Sequence, residues 1–400
     1  ITDPDYKFDY SYPKDVDIRS YKPVEEGHSG QIRKAAKLLL KSERPVIYSG
    51  GGVIQNDASA ELTSLVQFLD FPVTNTLMGL GAYPGTDKNF LGMLGMHGTY
   101  EANMAMAKCD VMINIGARFD DRITGATDKF SLQSKKIHVD IDPSEIGKII
   151  SVDVPIVGDV KDVLEKLNKV VNSSTHGDWL KRIETLKEDH PSLRLPDTDK
   201  LIARQVIRDI SEVTKGNATI VTGVRPHQMW AAQHYEFKNP CSLLTSGGSG
   251  TMGYEVPAAM GAQVAKPDGT VWSIAGDGGF QMTLCELATI VENKLPVKFA
   301  ILNNGFLGMV RQWQEIFFES SYVSTGYSGN PDFVKLAEAY GIKGIRVTDK
   351  TQVKTAIEEA MEHDGPVLID FIVEQEENVY PMIKIVRTHV TILTLMMWIT

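Results

Sequence analysis

The chain has 400 residues, with 41 Lys+Arg against 51 Asp+Glu and a formal charge of −10. A hydrophobic content of 42% suits a soluble, core-forming protein of two or three domains. The acidic balance argues against nucleic acid and anionic membranes as main partners, and no apolar run is long enough for a transmembrane helix. The three cysteines, Cys109, Cys241 and Cys285, follow no metal-ligand spacing and suit a reducing compartment; each reads as a small buried hydrophobe. No signal peptide is legible, and the chain opens on Ile1 in the manner of a segment from within a longer protein.

Residues 1–26 are rich in Pro, Tyr and Asp and read as a linker remnant. From residue 27 the pattern becomes α/β. Ile32, Ala35, Ala36, Leu39 and Leu40 have helical spacing, and Pro45-Val46-Ile47-Tyr48 is a short strand running into Gly50-Gly51-Gly52. A helix over 60–69 follows, then strands starting at Val73 and over 111–115 and 137–141, and a closing helix over 160–171. Strands alternating with helices predict a doubly wound parallel sheet in 27–171. Residues 172–197 are polar and Pro-containing, with one helical piece over 179–187, and read as an interdomain connection. A second α/β domain is predicted over 198–383, with strands at Ile220-Val221, Ser242-Leu243-Leu244, 271–275, 297–302, 342–347 and 367–373. The segment 384–400 is an apolar, β-branched tail of different character.

The most informative stretch runs from Gly276 to Asn304. Gly276-Asp277-Gly278-Gly279 closes one buried-strand pattern, and Leu302-Asn303-Asn304 closes the next. Thr283 and Glu286 between them predict a capping box for the intervening helix. An acidic residue and an amide at the carboxyl ends of two parallel strands suit magnesium, which takes about six oxygens and is usually shared with substrate phosphates. A second glycine cluster, Ser246-Gly247-Gly248-Ser249-Gly250-Thr251-Met252-Gly253, precedes a helix and suits a phosphate-facing loop.

Gly276-Asp277-Gly278 with Asn304, 27 positions after Asp277 (304 − 277), resembles the cofactor motif of thiamine diphosphate-dependent enzymes. The resemblance implies that Asp277, Asn304 and the backbone carbonyl of Phe306 bind magnesium. Gly276, Gly278, Gly279, His227, Gln228 and Gly250 then contact thiamine diphosphate, and Met252 props its thiazolium. Further stretches narrow the family. Pro226-His227-Gln228-Met229-Trp230-Ala231-Ala232-Gln233, Gly250-Thr251-Met252-Gly253, Met309-Val310-Arg311-Gln312-Trp313-Gln314 and Glu376-Glu377-Asn378-Val379-Tyr380-Pro381-Met382 resemble acetolactate synthase (acetohydroxyacid synthase) catalytic subunits, over about 21–382.

That family carries FAD on its central domain. By resemblance the flavin lies against Gly50, Gly51, Gly52, Thr76, Leu77, Met78, Gly95, Met96 and His97. It also meets Gly116, Ala117, Arg118 and Asp120, with Asp140 on the ribose and Asp159 nearby. Arg122 and Trp313 belong by resemblance to the active site, with Met252: Arg122 near the substrate carboxylate, Trp313 lining the pocket of the second keto acid. The implied reaction joins pyruvate to pyruvate or 2-ketobutyrate with loss of carbon dioxide, for valine, leucine and isoleucine synthesis. A homodimer or tetramer, a small regulatory subunit and a cytoplasmic or organellar location are further expectations. The amino-terminal domain that supplies a glutamate in this family precedes the matched region, so the chain alone is expected not to turn over pyruvate. Alternatives are another thiamine enzyme of this architecture, such as a pyruvate oxidase or glyoxylate carboligase, or a non-catalytic cofactor-binding remnant. The sequence departs from the resembled pattern at Gly223, Arg225 and Pro226 (commonly Asp, Gly and Gln), at Ser249 (Leu), at Glu255 (Gly) and at Ser321 (Arg).

Overall fold

The computed structural model describes residues 5–7, 9, 11–15, 17–327, 329–386 and 389–393, with side chains described as far as Ile383. Two six-stranded parallel sheets carry the chain. The first holds β1 (Pro45–Ser49), β2 (Val73–Asn75), β3 (Phe90–Met93), β4 (Val111–Ile115), β5 (Lys135–Asp140) and β6 (Val154–Val157), in the order β3-β2-β1-β4-β5-β6. The second holds β7 (Thr219–Thr222), β8 (Leu243–Thr245), β9 (Val271–Gly276), β10 (Lys298–Asn303), β11 (Lys343–Val347) and β12 (Val367–Ile372), in the order β11-β12-β10-β9-β7-β8. A short antiparallel pair, β13 (Met382–Val386) and β14 (His389–Leu393), follows. The α/β class of two doubly wound parallel sheets is thus as expected.

Central strands are buried and largely apolar because helices cover both faces. Every residue of β1 and β4 is buried, as are Val271 to Ala275 of β9. Helices start where side chains satisfy their free amides. Thr99 Oγ1 accepts from the Ala102 amide, Asp159 from Lys161 and Asp162, and Asp332 from Val334 and Lys335.

Several expectations need correction. The edge strands β3 and β6 were not legible. Thr283 makes no cap: its hydroxyl donates to the Gly253 carbonyl at 2.7 Å, and a 3-10 turn over Leu284–Glu286 leads into the helix Leu287–Glu292. The helical piece expected in the polar connection is present, as Gly177–Asp189, and is docked on the first domain; Trp179 Nε1 donates to the Pro45 carbonyl and Ile183 and Leu186 are buried. Only Cys109 is a buried cysteine, its thiol pushed up to about 11 by burial, whereas Cys241 and Cys285 are exposed. Parts of the amino-terminal linker (1–4, 8, 10 and 16) and of the tail (387, 388 and 394–400) lie outside the described residues. Among the described residues no helix is long and apolar enough to cross a membrane.

Candidate active site

Open α/β sheets bind ligands beyond the carboxyl ends of their strands, where the winding reverses. In the first sheet the reversal falls between β1 and β4, in the second between β7 and β9. The loops leaving those four strands, with segments after β2, β5, β8 and β10, build two adjoining cavities.

The larger cavity, about 1010 Å³, lies between the domains. Gly51 and Gly52 after β1, Gly116, Ala117 and Arg118 after β4, and Asp140 ending β5 form one side. Thr76, Leu77, Met78, Met96, His97, Asp120 and Arg122 also line it, and so do Gln228, Gly250 and Trp313 from the second domain. Gly50 and Gly95 do not line it, though both flank it in sequence. Gly50 serves packing: a Cβ there would sit 2.2 Å from the Gly116 carbonyl oxygen, so glycine lets the ends of β1 and β4 close together. Asp159 is engaged elsewhere, as the helix cap already described.

Arg118 pairs with Asp120 at 2.8 Å, and Asp120 also caps the turn holding Arg122. The Arg122 guanidinium has no ion pair or hydrogen bond among the described residues. It stands close enough to His97 to help hold that imidazole neutral; burial first, then Arg122, lowers His97 to about 4. Trp313 lies on the helix Gly308–Phe317, is 37% exposed, and packs on Phe317 with the rings tilted, 5.0 Å between ring centres.

The seam between the domains is held by an apolar cluster, in which Leu80 and Met93 join Trp230 and Phe237, and by hydrogen bonds to backbone carbonyls. Gln233 Nε2 donates to the His97 carbonyl at 2.7 Å, the Ile383 amide to Met96 at 2.8 Å, and the Gly85 amide to Phe237 at 2.9 Å. A Cβ on Gly247 would lie 2.4 Å from the Met78 sulfur, so the second glycine loop packs directly on the first domain.

The smaller pocket, about 30 Å³, adjoins the first and shares Val224 and Arg225 with it. His227, Met252, Gly276, Asp277, Gly278, Gly279, Asn304 and Phe306 line it, which gathers the predicted magnesium and diphosphate residues in one place. β9 pairs with β10 in parallel register, so Asp277 and Asn304 emerge side by side. Asp277 is almost wholly buried, and burial raises its carboxyl to about 6, against the opposing pull of Asn330 and the amides of Gly278 and Gly305. Its Oδ2 accepts from Asn330 Nδ2 at 2.7 Å and from the Gly305 amide at 3.0 Å; Oδ1 accepts from the Gly278 amide at 3.0 Å. Asn304 Oδ1 accepts from the Phe306 amide at 3.1 Å. His227, 5% exposed, has no partner at Nε2, and burial lowers it to about 3. Gln228 instead donates to Thr245 Oγ1 at 2.7 Å.

Asn330 is the residue that sequence reasoning missed. It binds Asp277, accepts from Gln281 Nε2, and donates to Asn303 Oδ1; Asn303 in turn donates to Asp370, which Arg346 holds. Its neighbours Gly329 and Pro331 mark a turn, and that is the only signal the sequence offers. Tyr327, also unforeseen, sets its hydroxyl 2.1 Å from where a Cβ on Gly278 would stand.

The donors fit a magnesium diphosphate. They are hard oxygens from one carboxylate, one amide and a backbone carbonyl, and His227, whose Nε2 is unpartnered, lines the same pocket. Among the described residues no cluster of three or more His, Cys, Asp or Glu offers a rival metal centre. Arg225 and Met252 both line the pocket and meet there, Arg225 Nε donating to Met252 Sδ at 3.1 Å. The larger cavity has dinucleotide dimensions, with Arg118 for an anion and the buried, unpartnered His97 Nδ1.

Two parallel sheets whose reversal points share one hollow, with Asp and Asn at neighbouring strand ends, define a thiamine diphosphate enzyme class. Residues 32–167 match the family model for the thiamine pyrophosphate enzyme central domain, and residues 224–371 that for the C-terminal TPP binding domain. The acetolactate synthase large subunit of Haemophilus influenzae is 44% identical over 387 residues, covering 95% of this chain and 67% of the relative. That of Corynebacterium glutamicum is 45% identical, covering 94% and 62%, and the isozyme 3 large subunit of Escherichia coli 41% identical, covering 96% and 68%. The chain belongs to the acetolactate synthase large-subunit family and spans about two thirds of the length of these relatives.

Proposed function

We propose that this chain binds magnesium, thiamine diphosphate and FAD and takes part in the decarboxylative joining of two 2-keto acids. Pyruvate joined to pyruvate gives acetolactate; joined to 2-ketobutyrate it gives acetohydroxybutyrate, both in branched-chain amino-acid synthesis. The observation that supports this best is Asp277 and Asn304 at adjacent strand ends, sharing a pocket with the unpartnered His227 and adjoining the cavity of Arg122 and Trp313.

Thiamine diphosphate, when bound, supplies the electron sink for decarboxylation and carbon–carbon bond formation. Asp277, Asn304 and the Phe306 carbonyl hold the magnesium. His227 Nε2 meets a diphosphate oxygen, donating when the proton sits on that nitrogen, and Met252 supports the thiazolium. Arg122, with no other anion to satisfy, takes the keto-acid carboxylate in its fork. Trp313 presents an apolar face to the second keto acid. Met96, Met309 and Val310 line the same cavity and exclude water from the reacting carbons. Arg118 and Asp140 hold the phosphate and ribose of FAD, which has a structural role. We place the FAD-binding domain at 27–171 and the diphosphate-binding domain at 198–383. The words "large subunit" in the relatives' names support a small regulatory partner, beside a homodimer or tetramer in the cytoplasm or an organelle's matrix.

The test is a titration of the purified chain with thiamine diphosphate, with and without magnesium, followed by tryptophan fluorescence. Saturable, magnesium-dependent binding that is lost in Asp277→Asn is expected. Binding that ignores both magnesium and Asp277 refutes the assignment.

A further inference from the structure

The cofactor reading gives Glu255 no task. This residue opens the helix Glu255–Ala265 and is 0% exposed. No side chain hydrogen-bonds either carboxyl oxygen, and the nearby amides of Glu255 and Gly253 do not reach hydrogen-bond geometry. Leaving a carboxyl group sealed and unpaired is costly, and a fold keeps one only where something compensates. Burial raises this carboxyl to about 7, with the amides of Glu255 and Gly253 opposing.

Its surroundings show where it sits. A Cβ built on Gly223 would lie 2.3 Å from Oε2, 2.6 Å from Cδ and 2.8 Å from Oε1. One built on Gly279 would lie 2.8 Å from Oε1. Gly223 directly follows β7, and Gly279 lies in the turn of helix that follows β9. These strands flank the reversal point of the second sheet, so the carboxyl fills the gap between the two segments that wall the diphosphate pocket. Position 223 and the Glu255 carboxyl claim one volume, and only one of the two positions can carry a side chain into it. The sequence respects that exclusion: Gly223 stands where the resembled pattern has Asp, and Glu255 where it has Gly.

We infer that Glu255 is a positioning residue of the diphosphate pocket, its carboxyl fixing the spacing of segments 223–227 and 276–279, and that a carboxyl delivered from position 223 does the same work. The inference rests on the thiamine diphosphate reading. Glu255 makes no contact with the cofactor in this role; it acts through the backbone of Gly223 and Gly279.

The experiment is a double-mutant cycle on the full 400-residue chain: parent, Glu255→Gly, Gly223→Asp and the double variant, with Glu255→Gln as the conservative control. Two quantities are read, the Kd for thiamine diphosphate with magnesium well below the melting range, and the melting midpoint without cofactor. Each single variant is expected to raise Kd roughly tenfold or more, the double variant and Glu255→Gln to return within about threefold of the parent. A role confined to stability would lower the melting midpoint of Glu255→Gly and leave its Kd unchanged, and that result overturns the inference. So does a double variant whose losses simply add. A parent that shows no magnesium-dependent binding refutes the thiamine diphosphate reading instead. The melting midpoints then decide alone whether the two positions share one volume: recovery in the double variant supports the exchange, additive loss overturns it.

Discussion

Arg225 separates backbone strain from side-chain contact. Its backbone lies at φ 126° and ψ −159°, a region used essentially by glycine alone. Holding a residue with a Cβ there costs about 1–3 kcal/mol. Its side chain makes one hydrogen bond, from Nε to the Met252 sulfur at 3.1 Å, and sulfur is a weak acceptor, so ~0.5 kcal/mol is a fair value. Arg225→Gly removes the strain and the contact, and the greater freedom of glycine in the unfolded chain offsets about 0.4–1 kcal/mol. The balance is a net gain of roughly 1 kcal/mol. Arg225→Ala keeps the Cβ and its strain while losing the contact, so it falls ~0.5 kcal/mol below the parent. The assay is urea unfolding followed by tryptophan fluorescence, which includes the buried Trp230 in the helix that Arg225 precedes. Midpoints are compared at equal slope. Should Arg225→Gly prove no more stable than Arg225→Ala, the strain argument is refuted.

Other expectations concern the same pocket. Magnesium needs Asp277 ionised, and the proton is held up to about 6, so magnesium-dependent binding should weaken about tenfold per pH unit below that value. A titration showing constant affinity down to pH 5 would contradict it. Asn330→Ala removes the 2.7 Å bond that orients Asp277; binding should weaken by about 1–2 kcal/mol, five- to thirtyfold, with little change in circular dichroism. Glu255 gives the protein a pH signature. Its proton is held more tightly in the folded chain (about 7) than in the unfolded chain (4.5), so its contribution is complete below 4.5 and is lost as pH rises through about 7. Glu255→Gln should therefore gain on the parent between pH 5 and 8 by at most about 3 kcal/mol, read from urea midpoints across that range. Parallel pH profiles for the two proteins would rule this out.

What could be read from the sequence follows from how far each feature depends on distant residues. β1, β4 and β9 announce themselves because helices bury both faces and the strand becomes a largely apolar run. Asp277 and Asn304 were legible for the same reason: each follows such a run directly, so strand ends located them. The edge strand β3 contains Gly92 and only two buried residues in four, which left it no pattern to show. Thr283 satisfied every local rule for a cap, yet its hydroxyl is taken by Gly253, thirty residues earlier. Asn330 reaches Asp277 across 53 positions, and nothing in a Gly-Asn-Pro turn signals that. The departures at Gly223 and Glu255 read separately as two defects. Only the structure shows them occupying one space.

The hydrogen bonds along the seam carry a consequence for how such a protein can be divided. Scission between Asp189 and Ala203 would leave every strand intact, but it would divide an apolar cluster in which Leu80 and Met93 of the first domain join Trp230 and Phe237 of the second. Neither half would then own the larger hollow, because its walls meet through that cluster and through contacts such as Gln233 with His97 and Ile383 with Met96. The hollow is in this sense a property of docking, and under the proposed FAD assignment a loss of flavin would report that the halves have parted before either has unfolded.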